Sequence, residues 1–510
     1  MLPGADITDP LRKPTRRRLG LAVLTTALVL IGLDVTVVTI ALPTLATAVG
    51  ASTSDLQWTT NAFTLPFAAL LFPSSAWGNG GSKRLLLAGL GLFAAGSALA
   101  LPADSAVELI GARALMGTGA GLAVPQALAL APGTVAPGEG NRASAVASTG
   151  FALGLPLGPL AGGWLLQAFG WQAVFAVNAL VGACVLAGAA LAVPAAAAEP
   201  VDAPVDLRGA VLALAGTSAL AFGLTEAPAL GWSHPLTLLA LSTGALLLCA
   251  LAARTRRRLA AADGWTRRRC SGFVWATAAL SFVTLILLAL LFVLPPYLQH
   301  VQGYDAWATG VRLLPMMAGL AAGAAVADRC AARFETRRTV GGGLLLCSFG
   351  LLWIGQLHGD SPYAAAAGAL TAAGFALGLT LSTALRALTA ALPPGGAPGG
   401  NALADACRQM GAALGIALLG GALNASYRGE LRRDTPPDLT AEAAGAGRGI
   451  AEAVRTAATL PARQGEDLTA LAHHAFVTGM ATTARIGAGA TAVMAVLLMV
   501  RMPSTPPGPA

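Results

Sequence analysis

The chain has 510 residues, 55% of them hydrophobic and only 11% charged, with a formal net charge of +8. Soluble domains carry about 25% charged residues, so this composition excludes a soluble globular protein. It also leaves no room for a soluble catalytic domain between its apolar runs.

In chain order, the basic residues Arg12, Lys13, Arg16, Arg17 and Arg18 close a stretch over 1–18 and precede a first span predicted over 19–43. That start resembles a cleavable leader ahead of Ala46-Thr47-Ala48, but its apolar region is too long for one and further spans follow. Within it stands Asp34, in Leu33-Asp34-Val35-Thr36-Val37-Val38-Thr39-Ile40-Ala41-Leu42-Pro43. Ionisable residues at membrane depth are costly and mark functional positions by default. A carboxylate there can exchange a proton, hold a cationic substrate, or serve structurally as a hydrogen-bonded tie to a neighbouring helix.

Spans are predicted next over 55–77, 84–102 and 108–131. Asn61 and Gln126 are amides within them that either line a cavity or bridge helices. In the fourth span Leu109, Arg113, Gly117 and Gly121 share one helix face. Arg113 lies about 8 Å below the outer surface and Asp34 about 13 Å, at 1.5 Å per residue, so the two can pair directly or through water. The alternative is an arginine that satisfies backbone carbonyls or reaches outward along its stem.

The fifth span, 143–168, carries Gly150, Gly154, Gly158 and Gly162 at every fourth residue, with Pro159 beside them. Such a stripe lets a second helix approach closely in lipid, and the proline removes a backbone donor and bends the helix. The sixth span covers 171–193, and an Ala/Pro-rich stretch over 192–206 ends this block.

Two more spans, 207–227 and 235–253, lead to an arginine-rich loop over 254–269. Six others follow over 271–294, 309–331, 339–357, 362–388, 403–425 and 477–501. Glu226 falls at the outer end of the seventh span, while Asp405, Arg408 and Gln409 open the thirteenth. Arg386 lies late in the twelfth, and Gln299, His300 and Gln302 read as loop beyond the ninth. Residues 426–475 read as a polar extracellular loop.

The basic loops fall on one side of an even-numbered array, whereas the loops holding Asp55, Asp104, Glu108 and Asp360 carry no Lys or Arg. Positive charge marks the cytoplasm, so both termini are expected there and the net charge requires no nucleic acid. The organisation is a basic cytoplasmic stretch over 1–18, a six-helix bundle over 19–193 and a linker with two extra spans over 194–270. A second bundle over 271–501 and a tail over 502–510 complete it. The fold class is thus all-α and polytopic, with about fourteen spans. The six cysteines (Cys184, Cys249, Cys270, Cys330, Cys347 and Cys407) show no paired or metal-binding spacing. No hydrolase nucleophile with its base and no phosphate-cradling Gly-Lys-Ser loop occurs, so neither an enzyme nor an ATP-driven pump is expected.

The first-span segment Leu33–Pro43, with Thr39 in place of an asparagine, resembles that of the fourteen-span drug:proton antiporters of the major facilitator superfamily. So do Leu109, Arg113, Gly117 and Gly119, with Met116 where glutamine is usual, and the full fifth-span set Gly154, Gly158, Pro159, Gly162 and Gly163. Tyr297–Tyr304 with Gly310 and Leu314-Pro315, and Arg408-Gln409-Met410-Gly411 with Gly415, extend the likeness over nearly the whole chain. In the loop after the second span Gly81, Lys83 and Arg84 keep the family pattern. There Ser74 replaces a glycine and Gly78 replaces the acidic latch.

The resemblance implies the major facilitator fold and alternating access, with export of drugs or antibiotics, or of a self-made product, coupled to protons. Another small solute of the same fold family (an amino acid, an anion or another metabolite) is the alternative. Asp34 with Arg113 is the implied proton or cation site, and Gly154, Gly158, Pro159, Gly162 and Gly163 the implied packing surface. Asn61, Gln126, Glu226, Asp405 and Arg408 are cavity candidates. No cofactor is expected beyond the proton gradient, and the implied partners are protons, the bilayer and a lipophilic small molecule, on a monomer in the cell membrane.

Overall fold

The computed structural model describes residues 14–77, 82–135, 139–194, 207–261, 266–392, 400–436 and 445–503, and among these it is helical without a strand. The first block is α1 (Pro14–Ala48), α2 (Thr53–Trp77), α3 (Lys83–Leu99), α4 (Ala106–Leu130), α5 (Gly140–Phe169) and α6 (Gln172–Ala192). The inserted pair is α7 (Leu207–Leu230) and α8 (Pro235–Ala261). The second block runs α9 (Arg267–Pro296), α10 (Ala306–Arg312), α11 (Leu314–Phe334), α12 (Thr336–Ile354), α13 (Tyr363–Ala391) and α14 (Gly400–Asp434). It ends with α15 (Ile450–Ala457) and α16 (Ala462–Arg501). A long helix stands at each of the fourteen predicted spans, and among the described residues 11 helices are both long and apolar enough to cross a membrane. The chain is a multi-pass membrane protein.

Helix starts follow local chemistry. Ser82, Ser105, Thr266 and Asp305 each accept a backbone N–H three residues on, satisfying a donor the first turn cannot pair internally. The tenth span differs from its expectation: it is broken at Leu313, where Pro315 opens α11, and the short α10 stands apart at the outer end. Residues 297–303 are not simple loop either, because Tyr297–Val301 continues α9 as a π-helical turn.

The expected loop over 426–475 is largely helical. The 14th helix runs on to Asp434, α16 begins at Ala462, and α15 between them buries Ile450, Ala451, Ala453 and Ala457 against the bundle. Alternation of small apolar residues with charges hid this amphipathic turn in the composition.

The two blocks repeat one packing scheme. In the first, α1 packs on α5, α2 on α4 and α3 on α4; in the second, α9 packs on α14, α11 on α13 and α12 on α13. Glycines set the close approaches, since a helix without a side chain admits its neighbour's backbone. Gly117 and Gly121 of α4 lie against Phe63 and Phe67 of α2, as Gly374 and Gly378 of α13 lie against Met316 and Leu320 of α11. Gly411 and Gly415 of α14 meet Ser281 and Leu285 of α9, mirroring Gly154 and Gly158 against α1. The inserted α7 packs on both α2 and α14 and so closes one seam between the halves, while α8 packs on α7 and exposes Leu236, Leu238, Leu239 and Leu246.

Ties between the halves gather at the end away from the arginine-rich loops. Gln299 Nε2 donates to the Ile40 carbonyl at 3.1 Å, and Thr53 N donates to the Arg448 carbonyl at 2.8 Å. Gly310 of α10 sits directly on the Pro159 backbone, and Gly163 on that of Ala306.

Candidate functional site

Asp34, Arg113 and Asn178 meet in the interior of the first bundle, from α1, α4 and α6. Arg113 Nη1 donates to Asp34 Oδ2 at 2.6 Å, and Asn178 Nδ2 donates to Asp34 Oδ1 at 2.6 Å. The three side chains are 0–1% exposed, so the carboxylate has exchanged water entirely for these two partners. Arg113 also stacks over the Phe63 ring at 4.4 Å and donates from Nε to the Thr59 carbonyl at 3.4 Å. A buried pair of this kind is held by geometry rather than by net Coulomb gain, because taking both charges out of water is expensive. A proton on Asp34 would leave Arg113 without its buried counter-charge.

Sequence reasoning placed Asp34 and Arg113 at compatible depth, and the structure joins them directly. It missed Asn178, whose signal was available: an amide midway along the apolar run Val174–Leu180.

The glycine stripe of α5 is built around the helix that carries Asp34. Cβ atoms added at Gly154 and Gly158 would collide with α1, the second overlapping Thr36 Oγ1 and lying 2.8 Å from the Leu33 carbonyl oxygen. Gly150 faces Thr25 and Gly162 faces Val37. The other face of α5 presents Pro159 and Gly163 to α10 of the second half. One helix therefore lies between the ion pair's scaffold and the opposite bundle. Thr36, two residues beyond Asp34, donates to the Leu155 carbonyl across this interface at 2.8 Å.

The remaining candidates do not join this site. Gln126 is not a cavity residue: its Nε2 donates to the Ser74 carbonyl at 2.6 Å and its Oε1 accepts from Ser82 N at 2.7 Å, tying α2 to the start of α3. Ser74 in turn donates to the Gly121 carbonyl at 2.7 Å. Glu226 lies at the α7 seam, accepting from Trp58 Nε1 at 2.9 Å, and Asp405 and Arg408 pair with each other at 3.3 Å on α14. Asn61 and Gln57 on α2 are buried with side-chain atoms that lack a protein partner. Lys83 Nζ donates to the Ala190 carbonyl at the end of α6, at 2.7 Å, Arg84 is exposed, and Gly81 lies outside the described residues. Arg386 pairs with Asp328 of α11.

Residues 24–416 match the family model described as Major Facilitator Superfamily. The chain belongs to that superfamily. Among its relatives it is similar to the tetracenomycin C resistance and export protein of Streptomyces glaucescens, at 30% identity over 91% of this chain and 88% of that one. It is also similar to the multidrug efflux pump LfrA of Mycolicibacterium smegmatis, at 31% identity over 94% of each chain. A methyl viologen resistance protein, SmvA of Salmonella typhimurium, is 31% identical over 91% of this chain and 93% of that one. The fold is shared with a solved bacterial homolog of the human lysosomal transporter Spinster in an inward-facing, unoccupied conformation. That likeness has a TM-score of 0.69 at 18% identity and covers 96% of this chain and 98% of the other. In this superfamily member the glycine-proline set of α5 and the Asp34–Arg113 pair form one continuous structure.

Proposed function

We propose that this protein exports a lipophilic drug or antibiotic from the cytoplasm in exchange for protons, by alternating access of its two bundles. Relatives named for resistance to, or export of, tetracenomycin, methylenomycin and puromycin support the substrate class. The observation that carries the coupling is the fully buried Asp34, held by Arg113 and Asn178 on the helix that α5 seats. In this reading Asp34 is the proton or cation site and Arg113 competes with the proton for it. Movement of α1 then passes through α5 to α10. In the same reading the basic loops face the cytoplasm, both termini lie on that side of a cell-membrane protein, and the protein acts as a monomer with the proton gradient as its energy source and no cofactor.

The test uses inverted membrane vesicles with an internal acid load reported by a pH-sensitive dye. Addition of tetracenomycin C, or of a lipophilic cation, is expected to release protons in the wild type and not in Asp34→Asn. Release that persists in the variant overturns the assignment of coupling to Asp34, and absence of release with a wide panel of such compounds overturns proton-coupled export.

A further inference from the structure

A pocket separate from the Asp34 site lies between the halves at their closed end. Leu42 and Ala46 of α1, Leu56 of α2, Phe292 of α9, Leu423 of α14 and Phe476 of α16 form its apolar walls, and residues 449–452 cover it. Two polar side chains stand among these walls. Asn424 is 3% exposed and its Oδ1 is buried without a partner, and His300 Nε2 is likewise unpartnered. The other polar groups at the rim are already engaged. Tyr427 Oη donates to the Ala446 carbonyl at 3.1 Å, and the Glu452 carboxylate sits between Arg448 and Arg455 at 2.6 and 2.5 Å.

A buried acceptor left without a donor is costly, so a donor that reaches Asn424 Oδ1 from between these apolar walls is favoured. We propose that this pocket binds a neutral, apolar compound carrying one hydrogen-bond donor. The apolar body lies against Leu42, Phe292 and Phe476, and the donor reaches Asn424 Oδ1. A cation finds no free carboxylate there, because Glu452 is held by two arginines. An anion would meet the unpaired Oδ1 across a wall of Leu and Phe. The walls come from both bundles, so an occupant favours the arrangement in which this end is closed.

The probe is 3-azioctanol, a neutral photoreactive alcohol, applied to the full-length protein in lipid nanodiscs, with adducts mapped by peptide mass spectrometry. The expected result is labelling of Leu423, Phe476 or residues 449–452 that excess 1-octanol competes away. Asn424→Leu is expected to reduce that labelling about five-fold, the worth of one ordinary hydrogen bond, and Ala46→Trp to block it. Both variants are compared at equal recovery of monodisperse, helical protein. Adducts confined to lipid-facing positions such as Leu239 and Leu246, or pocket adducts indifferent to both variants, overturn the proposal. Because the readout involves no transport, its failure leaves the Asp34 assignment standing, and the reverse holds equally.

Discussion

The Thr36 hydroxyl donates to the Leu155 carbonyl at 2.8 Å, and Leu155 is the residue whose helical donor is missing because Pro159 has no N–H. The carbonyl that Pro159 leaves unpaired in α5 is thus satisfied from α1, two residues from Asp34. The same device recurs between α2 and α4. Ser74 donates at 2.7 Å to Gly121, the carbonyl freed by Pro125. In lipid such a carbonyl has no water to turn to, so each hydroxyl fixes one helix against the next.

Thr36→Val keeps the shape of this contact and removes the donor. Interhelical hydrogen bonds in membranes contribute on the order of 1 kcal/mol, so a loss of about that size is expected. Thermal or denaturant unfolding in detergent should show the loss for Thr36→Val and not for Thr36→Ser. Equal stability of the valine variant and the wild type would refute a capping role.

Gly158→Ala should be damaging, because the added Cβ meets the backbone of the helix that carries Asp34. Its Cβ would overlap Thr36 Oγ1 and stand 2.9 Å from Val37 N, so it must push α1 away from α5. Overpacking of this kind costs about 1–3 kcal/mol and shifts the helix bearing Asp34. Gly342→Ala on α12, where nothing lies within 4 Å, serves as the neutral comparison. Transport assays of both variants, normalised to membrane expression, should show loss in the first and wild-type rates in the second.

Much of this site was legible in the sequence, for physical reasons that also mark the limits. Asp34 and Arg113 stood out because charge inside an apolar run is rare and expensive, and counting residues from the span ends put them at similar depth. The stripe on α5 was legible as spacing. Its partner was not, since a glycine face says that a helix approaches without saying which one. Asn178 carried the same signal as Asn61 and Gln126, an amide inside an apolar span, but depth was weighed for charged residues alone. Thr36 escaped because a hydroxyl in a membrane helix usually bonds its own preceding turn, as it also does here towards Leu33 at 3.3 Å. The repeat between halves was invisible at the residue level. It lives in backbone approaches, such as Gly121 on Phe67 and Gly378 on Leu320, whose flanking side chains differ.

Asp34→Asn leaves Arg113 buried beside an uncharged amide. Removing one partner of a buried ion pair costs about 3–5 kcal/mol, so this variant should be less stable as well as uncoupled. Adding Arg113→Met removes the stranded charge, and the double variant should regain most of the stability while staying uncoupled. Unfolding midpoints and proton release, measured on the same preparations, separate the two effects. Restored stability with restored coupling would show that the pair is structural only.

The rim of the outer pocket supplies a pH-dependent prediction. Burial alone would push the Glu452 carboxyl up, but hydrogen bonds and charge from Arg455 and Arg448 outweigh this and hold it below its ordinary value of 4.5. A depressed carboxylate stabilises the fold fully above its unfolded pKa, and that contribution is lost as pH falls through the lower folded value. Both arginines are about half exposed, so solvent screening limits the gain to roughly 1 kcal/mol or less. Thr53 of α2 holds the Arg448 carbonyl through both its backbone N–H and its hydroxyl, at 2.8 and 3.0 Å, so the ion cluster also ties the two halves together. Glu452→Gln should therefore lower the melting temperature at neutral pH. The gap to the wild type should close as the pH drops below about 4.5, where the unfolded carboxyl takes up its proton. A gap that stays constant from neutral to acidic pH would mean that the carboxylate's charge contributes nothing to holding α15 over the pocket.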